Sequence, residues 1–306
     1  MPTLSPTTSS FFARASLSIA DLRGQAEQLQ AQISTGQRLS KSSDDPLSAS
    51  RLRNLARTTT LSAIDARTAD RASADLGLAD NALSTFATSI QRAQELATQA
   101  ATATLNPAQR AAIGTELGQI HSNLVALANS RDSAGHALFG GETSGDAYTL
   151  DAAGQASYAG TASSGTLALG DGQTITRGLT GPEFLNFSSG GSTTDILKVV
   201  KDLSDALKGG VADPAAAAKA TLTPLGQGLE AVTTGQTVVG ARLASIELAA
   251  GQRLSASDTR ANEQTVLGTT DTASSIAQLQ QTMLVLEASQ QSFAKLSGLT
   301  LFSHLT

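Results

Sequence analysis

Residues 11–36 read FFARASLSIADLRGQAEQLQAQISTG, and Phe12, Ala15, Ile19, Leu22, Ala26, Leu29 and Ile33 fall at alternating steps of three and four. That spacing is an a/d seam, the pattern of a helix that lies along another long helix. Gly36 follows the last seam residue, where a helix end tolerates left-handed backbone. Ser42-Ser43-Asp44-Asp45-Pro46 then restarts a helix, with Asp45 as N-cap and Pro46 at the first helical position.

Working outward, no proline and only Gly77 interrupt the chain from Pro46 to about Thr104. Leu76, Ala79, Leu83, Phe86, Ile90, Ala93, Ala97 and Ala100 keep register, which predicts a helix on the order of 90 Å long and a rod-like molecule. Asn106-Pro107 with Gln109 repeats the start signal and predicts a third helix carrying Ile113, Leu117, Ile120, Leu124 and Leu127. The texture changes at Arg131. From Asp132 to Ser192 glycine is frequent, and strand-like runs stand at Ala147–Leu150, Ala156–Tyr158, Thr166–Leu169 and Thr174–Arg177, with Asp171-Gly172 as a hairpin turn. Helix returns at Asp195–Lys208 and again after Asp213-Pro214, where Leu225, Leu229, Val232, Val239, Leu243, Ile246 and Ala250 form a seam. The last helix carries Ile276, Leu279, Met283, Leu286 and Phe293. Both chain ends therefore form seams, while the middle is a β-rich insert.

Composition narrows the function. Aromatics are 3% with no Trp, and Lys+Arg number 21 against Asp+Glu 26, a formal net charge of −5 without any clustered basic run. Nucleic-acid binding needs such a cluster, so it is not expected. Cysteine is absent, which removes disulfides and thiolate metal sites. No apolar run reaches the roughly 18–20 residues of a membrane span. Met1–Ser10 is mostly Ser, Thr and Pro without a basic region followed by an apolar one, so a Sec-type leader is not expected, and export, if it occurs, would take another route.

No catalytic, metal or cofactor constellation emerges. His121, His136 and His304 are far apart, and His121 falls on the polar side of its helix, where solvent exposure is expected. HExxH, GxSxG and GxxxxGK[ST] are all absent. Gly170-Asp171-Gly172 reads as a turn, since Ile175 stands where a dinucleotide fingerprint needs glycine. Asp44-Asp45 reads as capping, and Asn186-Phe187-Ser188 as a chance triplet. For the terminal seams two readings stand: an intramolecular coiled coil, or a surface on which neighbouring subunits pack. The scarcity of large side chains favours the second. Backbone ordering costs about 1–2 kcal/mol per residue, against about 25 cal/mol per Å² buried.

Gln32-Ile33-Ser34-Thr35-Gly36-Gln37-Arg38-Leu39, followed by Ser43-Asp44-Asp45-Pro46 and Ala49, resembles the N-terminal motif of the flagellin superfamily. Pro46 after the two aspartates is similar to the hook-associated branch. Glu95-Leu96-Ala97, Arg110, Glu116-Leu117, Leu127-Ala128-Asn129 and Leu138-Phe139-Gly140-Gly141 resemble the next segments of that family. Leu286-Glu287-Ala288-Ser289-Gln290, Leu296 and Leu301-Phe302 resemble its C-terminus. The resemblance covers roughly 12–142 and 225–305. It implies a non-enzymatic, extracellular subunit of the bacterial flagellum at the hook–filament junction, exported by the type III route. Its implied partners are copies of itself in a ring, the first hook-associated protein, flagellin and an export chaperone.

The expected fold is mainly α with a small β-rich insert, an antiparallel rod and coiled coil built from the two chain ends. Its segments are 1–45 (inner coiled coil), 46–131 (rod), 132–192 (outer β-rich), 193–259 (rod) and 260–306 (inner coiled coil). The expected assembly residues are Phe12, Ile19, Leu22, Leu29, Ile33, Ile276, Leu279, Met283, Leu286 and Phe293, with Asp44, Asp45 and Pro46 as a helix-start motif. A divergent flagellin and a surface ligand-binding module remain alternatives. In the soluble monomer, hydrogen exchange is expected to leave 1–45 and 260–306 unprotected beside Pro46–Thr104; equal protection would contradict it.

Overall fold

The computed structural model describes residues 6–302 except Ala103 and Asp171, with side chains between 10 and 297. Asp171 of the expected turn, His304, and the side chains of Leu301 and Phe302 thus lie outside the described set. The chain forms two compact units, one from the two chain ends (1–60 with 255–306) and one from Leu61–Leu254. The fold is mainly helical with a few small sheets, as expected.

In the central unit the long helix α2 (Pro46–Ala100) presents Ala69, Ala72, Leu76, Ala79, Leu83, Phe86, Ile90, Ala93, Ala97 and Ala100 to the core, steps of three and four without a break. Helix α3 (Pro107–Ala128) adds Ile113, Leu117, Ile120 and Leu124. Its start is a complete capping box, with Gln109 N donating to Asn106 Oδ1 at 2.8 Å and Asn106 N donating to Gln109 Oε1 at 3.0 Å. The preceding helix stops at Ala100 rather than near Thr104. There Arg110 donates to the carbonyls of Ala100 (3.4 Å) and Thr102 (2.9 Å), satisfying its C-terminal end.

Among the described residues between α3 and the next long helix lie three separate antiparallel hairpins, not one sheet. Strands β1 (Tyr148–Leu150) and β2 (Ala156–Tyr158) pair, as do β3 (Thr166–Gly170) and β4 (Gln173–Thr176), with a bulge after Ala168. The sequence reading missed a short helix α4 (Gly181–Leu185) and the hairpin of β5 (Asn186–Ser189) with β6 (Ser192–Asp195). Its turn is Gly190-Gly191, both at positive φ (60° and 82°), the geometry a two-residue primed turn requires. Helix α5 (Ile196–Asp205) then begins one residue later than expected. Asp195 still belongs to the strand, and its Oδ1 accepts from Lys198 N at 2.8 Å as the N-cap. A π-turn over Ala206–Gly210 ends it.

His121 is a correction: it is buried, not exposed, because α5 packs against α3 and brings Lys201 beside it. Burial, then the Lys201 charge, lowers its pKa. Nearby, Ser204 Oγ donates to Gly114 O across the two helices at 2.7 Å.

Helix α6 (Pro214–Gly268) buries Ala218, Leu225, Val232, Val239 and Ile246 at an unbroken spacing of seven. Ala249 is buried where the sequence reading placed Ala250. Gly235 lies on the same face, where an added Cβ would stand 2.8 Å from Phe184 Cβ. Phe184, Phe86 and Phe139 are all fully buried and pack edge-on or tilted, with centroids 5.5 Å, 6.4 Å and 4.7 Å apart (86–184, 86–139, 139–184).

The terminal unit is formed by α1 (Pro6–Thr35), the start of α2, the end of α6 and α7 (Thr272–Phe302). Its two connecting loops join as a miniature antiparallel ladder: Arg38 N donates to Gly268 O (2.8 Å) and Thr270 N to Gly36 O (3.0 Å). Gln32 Nε2 donates to Arg38 O (2.8 Å), and Arg38 Nε donates to Leu267 O (3.0 Å). Asp44 Oδ2 accepts from Ser40 N and Lys41 N at 3.0 and 2.8 Å, while Asp45 caps α2 through Ser48 N at 3.0 Å. Asp271 likewise caps α7 through Ser274. These hydrogen bonds hold all three carboxyls below the usual range, through Lys41, Ser48 and Ser274 foremost.

Two tests follow from this packing. Phe184→Ala removes the aromatic that α4 inserts between its two partners and is expected to cost about 3–5 kcal/mol in thermal or denaturant melts. A lowered folded-state pKa stabilises above the unfolded value and is lost as pH falls through the folded one. The wild type is therefore expected to lose stability on the acid side of 3.8, the ordinary Asp value. Asp45→Asn, which still caps but does not titrate there, should lose less when Tm is followed against pH.

Candidate assembly surface

Helices α1 and α7 lie along each other, and the seam residues divide into three groups. Phe12, Ile19, Leu22, Leu29 and Ile33 on α1, and Leu279 and Phe293 on α7, are half-buried. Leu286 is buried, at 8% exposure. Ile276 and Met283 are exposed, Met283 at 52%. The pairing is anchored at one end by Phe12 and Phe293, edge-on with centroids 5.5 Å apart. Farther along, Leu29 borders a groove lined otherwise by Gln25, Gln28, Gln32, Gln278, Gln281 and Thr282. Asp44, Asp45 and Pro46 do not join this surface. They build the loop that starts α2, as described above.

The intrachain pairing leaves apolar side chains uncovered. Phe11 and Leu17 on α1, and Ile276, Met283, Leu284, Val285 and Leu296 on α7, are all exposed, Leu284 at 68%. Leu279, Gln280, Met283, Leu284, Leu286, Glu287 and Gln290 line a shallow trough along α7 itself. Solvated helix faces normally carry charges, yet from Thr272 to Phe302 the only charged residues are Glu287 and Lys295. The single-seam reading missed Leu17, Leu284 and Val285. The available signal was the run Met283-Leu284-Val285-Leu286: four consecutive apolar residues cannot share one helical face, so a second face must also be apolar.

Among the described residues, no group of three or more His, Asp or Glu is arranged to hold a metal ion. No helix among them is long and apolar enough to cross a membrane. What the surface can do chemically is bury apolar area against another helix. A contiguous apolar patch on an exposed helix marks an interaction site.

Comparison with known proteins agrees with this geometry. Residues 9–144 match the family model of the bacterial flagellin N-terminal helical region. The chain is 34% identical over 155 residues to flagellar hook-associated protein 3 of Salmonella typhimurium, an alignment covering 51% of this chain and 48% of that protein. It thus spans about half the length of that relative. It is 27% identical over 295 residues to flagellar hook-associated protein 3 of Escherichia coli, covering 89% and 90% of the two chains. In fold it is similar to the flagellar junction protein FlgL of Legionella pneumophila, with a TM-score of 0.58 at 14% identity, over 72% of this chain and 100% of that one. Sequence motif, helical architecture and relatives agree: the N-terminal part of the chain is similar to the bacterial flagellin N-terminal helical region, and hook-associated proteins are among the proteins it resembles.

Proposed function

We propose that this protein is a structural, non-enzymatic subunit of the bacterial flagellum that joins the hook side to the flagellin filament. The observation that carries the reading is the apolar surface of α7 that α1 leaves uncovered. After α1 has covered its share, Ile276, Met283, Leu284 and Val285 still stand in solvent on a helix with two charges. Such a face gains free energy only when another copy or a related subunit buries it, at about 25 cal/mol per Å². The names of the relatives support the same reading. On it, copies of this chain form a ring through segments 1–45 and 260–306. The first hook-associated protein lies below, flagellin above, and an export chaperone covers the ends before assembly. Segments 46–131 and 193–259 serve as the rod halves, and 132–192 as the outer part.

The mechanism is lattice continuity. A junction must join two polymers with one helical lattice, and related terminal helices keep the inner packing common to both sides. The central unit then supplies side contacts of its own. Gold-labelled antibody on isolated flagella should mark a band at the hook–filament boundary; labelling along the whole filament would instead identify a divergent flagellin. Leu29→Asp and Leu284→Asp should each abolish incorporation. The isolated monomer should keep its circular dichroism melt, since the central core does not use either residue. Normal motility in both variants would refute the assembly role.

A further inference from the structure

In the central unit, a cleft of about 310 Å³ is bordered by Asp75, Asp132, His136, Glu142, Ser164 and Arg177, among others. None of these belongs to the assembly surface. Asp75 sits on α2 at 7% exposure, and its Oδ1 is wholly sequestered without a hydrogen-bond partner in the protein. A buried polar atom left unmatched costs about 1–3 kcal/mol, and more when charged. Its neighbour is in the opposite position. Asp132 Oδ1 accepts from Ala134 N and His136 N at 2.9 and 2.8 Å, and Oδ2 lies 3.5 Å from Arg177 and 3.4 Å from His136 Nδ1. One carboxylate is saturated; the other faces the same cleft and is not.

The charge balance selects the occupant. Three carboxylates (Asp75, Asp132, Glu142) face the Arg177 guanidinium and a half-exposed His136, with Arg71 acting on Asp75 from its own helix. An anion would meet net repulsion. A bare metal ion would need several oxygen ligands converging, and no such group is present among the described residues. A group that carries positive charge and several N–H donors meets both requirements, charge and hydrogen bonding. The surrounding wall is already fixed: Ser164 Oγ donates to Gly178 O at 2.6 Å, and Arg242 Nη1 to the same oxygen at 2.5 Å. Little ordering is left for a ligand to impose. Burial, and then the Asp132 charge, also raise the Asp75 pKa, a strain that a nearby cation relieves.

We propose that this cleft binds an organic cation, a guanidinium or primary ammonium group, which donates to the Asp75 carboxylate with exposed Glu142 as a second anchor. The cation belongs either to a small free amine or to an Arg or Lys side chain of a neighbouring copy. The binding itself does not rest on the assembly role.

The test uses the full chain, followed by amide NMR at neutral pH during titration with methylguanidinium. Saturable shifts are expected at His136, Gly141 and Gly178. Tetramethylammonium, with equal charge and no N–H donor, should bind at least about tenfold more weakly. Asp75→Asn should weaken methylguanidinium by about tenfold or more, and Glu142→Gln by a few-fold with an unchanged melt. Shifts that never saturate, equal binding of tetramethylammonium, or wild-type affinity in Glu142→Gln would overturn the proposal, as would wild-type affinity in a folded Asp75→Asn. Because the chain has no cysteine, Ser144→Cys can carry a short amine-reactive cross-linker beside the cleft. Linked dimers in assembled material assign the cation to a neighbour's lysine, whereas probe binding without dimers assigns it to a free amine or a neighbour's arginine. Repeating the cross-linking with a guanidine-directed linker separates those two.

Discussion

The contact on which the central unit depends is the meeting of Phe86, Phe139 and Phe184. The chain holds only eight phenylalanines and no tryptophan, so three fully buried rings in one place are a large share of its aromatic content. Each comes from a different part of the chain: the long helix α2, the glycine-bordered segment after α3, and the short α4. The backbone seals the same spot, where Gly181 N donates to Phe139 O at 2.9 Å. Without the three rings, the hairpins would have little to hold them, because each is only two strands wide.

Around that cluster the molecule works with small side chains. Alanine and leucine at a/d positions allow helices to approach closely, and Gly235 admits Phe184 where any Cβ would intrude. This economy explains why the terminal unit relies on backbone hydrogen bonds and caps. Of the residues that carry the family resemblance, Gly36 and Arg38 fasten one loop to the other, while Asp44 and Asp45 hold the turn that starts α2. Asn129 plays the same part at the other end of α3, exchanging two hydrogen bonds with the backbone of Tyr148 at 2.9 and 2.8 Å.

Helix identity and register were readable because heptad spacing is a local property: α2 and α6 follow it residue by residue. The capping motifs at Asp45 and Asn106 were readable for the same reason. The hairpin at Asn186–Asp195 was not, since Ser and Thr at most of its positions give no apolar alternation, although Gly190-Gly191 marked its turn. His121 was misjudged because exposure depends on which helix arrives from elsewhere, and α5 lies some eighty residues away. The second apolar face of α7 escaped because a search for one seam stops when it finds one. The Asp75 cleft is beyond sequence reasoning altogether: its parts come from positions 75, 132–143, 164 and 177–178, which only the fold brings together.

The ladder between Gly36–Arg38 and Gly268–Thr270 has a consequence for the order of events when the chain folds. The central unit is one continuous stretch, so its contacts can form as soon as Leu254 has been made or released. The terminal unit draws on both ends of the chain, and closing it means bringing together segments separated by that entire stretch. Closing so long a loop is entropically unfavourable in an open chain and far cheaper once the intervening residues have collapsed. Folding therefore proceeds from the middle outward, and the helices that present the apolar face are the last to be fixed in place.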